Sequence, residues 1–166
     1  MTAGEFCATD VHRLPRSLVR VVRAPAEDPR LLMWVGRPGV RLLSFDEHRQ
    51  VDRASLQRFP QERDASVAWA SVPRDLVIRT ERCGGRAIED YLRDDGDVII
   101  TWGSLSLPSV LLSASETSDR VEAILATAAL LWLYRPDQRL VLERNHVEDT
   151  VTIARIPGAA PPPISG

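Results

Sequence analysis

Lysine is absent from this chain: all 21 basic residues are arginine. A nucleotide-binding P-loop, which needs a lysine after its glycines, is thereby excluded. The arginines are spread along the whole length, which points to the codon bias of a GC-rich, bacterial genome rather than to a guanidinium-lined site. Cysteine is scarce as well. Cys7 and Cys83 are too few for a disulfide framework and suit a reducing, cytoplasmic setting. Residues 1–10 carry acidic rather than basic side chains and no apolar run of signal-peptide length. The most apolar stretch, 121–134, is interrupted by Glu122 and Thr127 and falls short of the ~20 residues that span a bilayer. It reads as a buried helix, not a membrane anchor. A net charge of −2 leaves no global electrostatic footprint for nucleic acid, and the arginines are scattered rather than clustered.

What remains is ordinary globular usage. Of 166 residues, 44% are apolar and 27% charged, well away from the composition of disorder. At this length a single core can bury roughly 70% of the unfolded surface without staples. The expected organisation is a flexible N-terminus over 1–12, one α+β domain over 13–157, and a flexible tail rich in Pro, Gly and Ala over 158–166.

Periodicity predicts a strand over 17–23 and a hairpin of strands 31–35 and 40–45 about the Gly36-Arg37-Pro38-Gly39 turn. The segment 46–59 fits neither period, although Asp46 could cap a helix and Pro60 could end one. Strands are predicted over 65–72 and 76–80. A helix opens at Cys83-Gly84-Gly85 and runs to about Arg93, with Gly96 as its C′ residue. Strands at 97–102 and 108–114 follow. A long apolar helix is then predicted from Ser118 or Asp119 to near Arg135-Pro136, before a terminal hairpin of 139–144 and 150–156. The sum is a mostly antiparallel sheet packed against two helices. From Leu76 onward the element order is βαββαβ, as in a ferredoxin-like unit. Leu125 falls on the sheet-facing side of the long helix, where truncation to alanine costs roughly 2–5 kcal/mol.

The chemistry-bearing residues form no recognisable constellation. Cys83, Gly84, Gly85 and Arg86 are the sharpest candidates, because a thiol at a helix start beside a guanidinium is expected to ionise more readily, and two glycines let backbone amides approach an anion. Arg79, Arg82 and Arg86 are its expected charge partners. Where a cysteine-phosphatase loop would carry an arginine stands Glu89. His12, His48 and His146 lie in separate predicted loops or element ends, without the spacing of a zinc site, and no G-x-S-x-G elbow is present. Asp94-Asp95-Gly96-Asp97 lacks the alternation of a calcium loop. Trp34, Trp69, Trp102 and Trp132 are flanked by aliphatic residues and read as core.

No catalytic residue, metal ligand or cofactor is therefore assigned. The expected function is non-catalytic: an adaptor, chaperone-like or regulatory protein that binds another protein or itself. The long helix, apolar nearly all round, argues for a homodimer. The alternative is a small enzyme, or an anion- or small-ligand-binding protein, centred on Cys83 to Arg86.

Overall fold

The computed structural model describes residue 34 and residues 36–104 and 107–158. The predicted strand 17–23, most of strand 31–35, Cys7, His12, the N-terminus 1–12 and nearly all of the C-terminal tail lie outside them. Seven strands form one antiparallel sheet: β1 (Arg41–Leu42), β2 (Val77–Arg82), β3 (Asp97–Trp102), β4 (Val110–Ser113), β5 (Leu130–Arg135), β6 (Leu140–Asn145) and β7 (Thr150–Arg155). Their order is β1-β4-β3-β5-β6-β7-β2. Among the described residues, four α-helices accompany them: α1 (Phe45–Ala54), α2 (Gly85–Tyr91), α3 (Ala114–Asp119) and α4 (Val121–Thr127). Among the described residues, no helix is long and apolar enough to cross a membrane.

The α+β class and the antiparallel sheet are as the sequence predicts, but the sheet is larger than a βαββαβ unit. β3 is antiparallel to both β4 and β5, so β4, α3–α4 and β5 make a crossover with β3 between its strands. β2 pairs with β7 at the far edge, and β5, β6 and β7 separate it from β3. The βαββαβ elements thus do not close on one another.

The long apolar helix does not form. Ser113, not Ser118 or Asp119, caps α3, its hydroxyl accepting from the Glu116 N–H at 3.1 Å. α4 ends at Thr127, and Ala128 turns extended at φ −147°, ψ 147°. Leu130 to Arg135 then continues as the middle strand. Its all-round apolarity has a simple cause: a strand buried on both faces carries no polar side, and over a short run it cannot be told from a buried helix by period. Leu131 and Leu133 enter the core beneath α2, α3 and α4, together with Ala87, Ile88, Ala114 and Ile124. Trp132 points the other way, into a second core with Leu56, Phe59, Val67 and Val72.

That second layer is built by 44–76. Ser44, rather than Asp46, caps α1 through a reciprocal pair: its hydroxyl accepts from Glu47 N–H at 3.2 Å, and the Glu47 carboxylate accepts from Ser44 N–H at 2.8 Å. The predicted strand 65–72 is instead part of an irregular strap. An isolated bridge joins Gln61 to Val67, and a 3₁₀ turn covers Trp69–Ser71. Its alternation of Val67 and Trp69 reflects one side laid on the sheet. Gly96 is not a helix C′ residue. It stands at φ +137° directly before β3, and its carbonyl accepts from Ala114 N–H at 2.8 Å.

The corrected helix moves the sheet-facing position by one residue. Ile124 is 1% exposed, whereas Leu125 is half-buried. Ile124→Ala is expected to cost roughly 2–5 kcal/mol in urea denaturation and Leu125→Ala distinctly less.

Candidate functional site

At the helix start singled out by the sequence, Cys83 and Gly84 are both left-handed, at φ +60° and +53°. Gly84 needs its missing side chain, because a Cβ there would run into Val151 on β7. Cys83 is exposed, and its Sγ–H donates to Asp149 Oδ2 at 3.1 Å. Asp149 reaches it from the β6–β7 turn and accepts from Arg144 Nη2 at 2.8 Å. The hydrogen bond to Asp149, and then its charge, hold the thiol above its ordinary pKa, against weaker pulls from Arg144 and Arg82. This reverses the sequence-based expectation. Arg86 and Gly85 point to solvent, and Arg79 is engaged by Glu81 and Asp90. The four residues are adjacent, but the group that Cys83 faces is a carboxylate.

Sequence reasoning missed Glu143. It lies in register between Trp132 on β5 and Thr152 on β7, 3% exposed, on the strap side of the sheet. One carboxylate oxygen accepts from Trp69 Nε1 at 2.7 Å; the other accepts from Val67 N–H and Trp132 Nε1, each at 2.8 Å. Burial raises its pKa, and the three donors oppose that shift. Both oxygens are engaged, so Glu143 fastens the strap rather than standing ready as an acid or base. Its position directly after the apolar run L-V-L of a predicted strand was its only sequence signal.

The sequence gives His48 no neighbour to act with, but the fold does. Its Nδ1 lies 2.7 Å from the hydroxyl of Ser109, a residue 61 positions away in sequence and 2% exposed. Burial holds the imidazole below its ordinary pKa, and the charge of Asp52 one turn along α1 opposes this, so the ring is neutral at neutral pH. His146 is exposed on the β6–β7 turn, next to Val147. Among the described residues, no group of three or more His, Cys, Asp and Glu side chains is placed to hold a metal ion.

Clefts surround the strap. One of about 570 Å³ is bordered by Glu62, Arg63, Asp64, Trp69, Glu143 and Glu148. A second, of about 350 Å³, lies between α1 and the sheet and is walled by Leu56 and Trp132 with His48, Asp52, Gln61 and Thr101. A third, of similar volume, runs from Asp64 past Ser104 to Asn145 and Val147. Trp34, Trp102 and Trp132 are buried as the sequence suggests, while Trp69 is half-buried at the rim.

Two outcomes follow from these contacts. Glu143→Gln keeps one acceptor and sets an amide N–H₂ against N–H donors, so it should destabilise by about 1–3 kcal/mol. A carboxyl whose folded pKa is raised stabilises most below its unfolded pKa, and that contribution is lost as pH rises through the folded value. The gap between wild type and Glu143→Gln in urea midpoints should therefore narrow as pH rises from just above the ordinary glutamate range. For Cys83, Asp149→Asn removes the charge that holds the thiol neutral. Its reaction with a chromogenic disulfide at mildly alkaline pH should then be faster than in the wild type.

Compared with known proteins, the chain matches no family model, and no curated protein matches it.

Proposed function

We propose that this chain is a non-catalytic, regulatory protein-binding module that meets its partner at the acidic rim formed by the strap and the β6–β7 turn. The observation that carries this is Val147, 86% exposed at the tip of that turn and beside Glu148. Among the described residues the other exposed large apolar side chain is Ile78, at 47%. An apolar side chain held out by a rigid turn, with Glu148, Glu62 and Asp64 around it and Arg63 as the one opposing charge in the adjoining cleft, suits a basic partner segment with an aliphatic contact.

The absence of catalysis is supported by how the reactive groups are used. Cys83 donates to a carboxylate, Glu143 has both oxygens bonded, and Ser109 is sealed behind His48. Anion binding at Cys83 to Arg86 is disfavoured by Asp149, which faces the thiol. A second copy of the chain fits the rim poorly. A twofold contact there would set Glu62, Asp64 and Glu148 against their own copies, and the long apolar helix that argued for a homodimer is divided into the short helix α4 and the central strand β5.

The test is a selection of displayed random peptides on the full-length protein, followed by sedimentation equilibrium. Selected peptides should be rich in arginine or lysine, and Val147→Asp and Glu148→Arg should each weaken them by about tenfold, equivalent to about 1.4 kcal/mol. The protein alone should sediment near 18.5 kDa. Binders indifferent to both substitutions, or a dimer that Val147→Asp dissociates, would defeat the proposal.

A further inference from the structure

We infer that the cleft between α1 and strands β3 and β5 is a binding site for a small amine with a flat apolar body. Its polar head would be received by Asp52, His48 and Thr101, and its body by Leu56 and Trp132. This site is separate from the acidic rim and does not depend on the partner proposed there.

Thr101 is the first support. It is 3% exposed and borders the cleft beside Trp132, its register neighbour, yet its hydroxyl makes no hydrogen bond within the described residues. Buried hydroxyls are nearly always paired, and one left open towards a cavity is a position for a ligand atom. The second support is His48. Its Nδ1 is committed to Ser109 Oγ at 2.7 Å, and Ser109 is too buried to meet a ligand itself. That contact sets the ring and leaves Nε2 as the nitrogen for an incoming group, the usual result when one imidazole nitrogen is anchored.

Charge selects the class of ligand. Asp52 borders the cleft, and although the chain has 21 arginines, none of them lines it among the described residues. An anion would meet a carboxylate without a counter-charge, whereas an ammonium would gain one charge-assisted hydrogen bond from Asp52 and, in the tautomer whose Nδ1–H donates to Ser109 Oγ, an acceptor at His48 Nε2. Asp52 also accepts from Gln57 Nε2 at 2.6 Å, which steadies the carboxylate without neutralising it. Leu56 and Trp132 are 5% and 4% exposed and belong to the second core, so the apolar wall is firm. At about 350 Å³ the space is near the small end for ligand pockets.

Phenethylamine and phenylacetate, equal in ring and opposite in charge, are suitable probes for NMR titration of the full-length protein. Phenethylamine should produce saturable shifts of the Trp132 indole N–H and the His48 ring, and phenylacetate should not. Thr101→Val and Asp52→Asn should each weaken phenethylamine by about tenfold. Asp52 lies on the outer layer, so Asp52→Asn decides the matter if Thr101→Val fails to fold. Equal responses to both probes, no saturable shift, or wild-type affinity in a folded Asp52→Asn variant would each overturn the assignment.

Discussion

The fold depends on one strand being buried on both sides. β5 stands between β3 and β6, sends Leu131 and Leu133 into the helix layer and Trp132 into the strap layer, and leaves only Leu130 and Tyr134 half-buried. Once such a strand occupies the middle, one layer of helices cannot complete the protein, because a second apolar face needs its own cover. α1, the 3₁₀ turn Leu56–Arg58 and the strap supply it. The strap has little regular backbone pairing to hold it, so its attachment falls to side chains. Glu143 performs that task, with donors from the strap main chain, a strap tryptophan and β5 itself.

Buried charge recurs on this sheet with the same logic. Arg135 is fully buried at the end of β5, where Nη1 donates to the Tyr91 carbonyl at 3.0 Å and Nη2 to that of Asp95 at 2.5 Å. It thereby satisfies carbonyls at and just beyond the C-terminal end of α2, where a cation is favoured. Tyr91 answers by donating its hydroxyl to the Leu133 and Leu140 carbonyls. Arg144 ties the β6–β7 turn through the Asn145 and Thr150 carbonyls and Asp149. Hydrophobic residues of similar volume could stabilise as much, but they could not tell one strand end or turn from another. These charges fix where the irregular segments attach.

Legibility in the sequence followed the range of the interaction. The terminal hairpin, β2, β3 and the turn at Gly36 to Gly39 were legible because turn chemistry and alternation are local. The strand β5 was not, since whether L-L-W-L-Y-R is helix or strand depends on neighbours from elsewhere in the chain. The capping box of α1 was local, yet the weak apolar face of 46–59 obscured it; that helix has no fully buried residue. At the site level, Cys83 stood out because its neighbours in sequence are glycine and arginine, but its chemistry is governed by Asp149, 66 residues away. His48 and Ser109, or Glu143 and Trp69, meet only through the fold, and no spacing rule links them.

The strap also gives the two proposed surfaces a common wall. Gln61 and Ala65 border the cleft under α1, while Glu62, Arg63 and Asp64 border the acidic rim. These residues are joined by short-range bonds: Glu62 N–H to the Ser66 carbonyl at 2.8 Å, and Asp64 Oδ1 from Ser66 N–H at 3.0 Å. A ligand that draws Gln61 inward and a partner that grips Glu62 and Asp64 would therefore act on one mechanical unit, pinned at Val67 and Trp69 by Glu143. Linkage makes any such coupling reciprocal: whatever factor the amine contributes to partner affinity, the partner must return to amine affinity. If the acidic rim binds its proposed partner and the cleft its proposed amine, the element loaded by both is the irregular strap rather than the sheet, and the buried strand on which the fold rests would be left undisturbed.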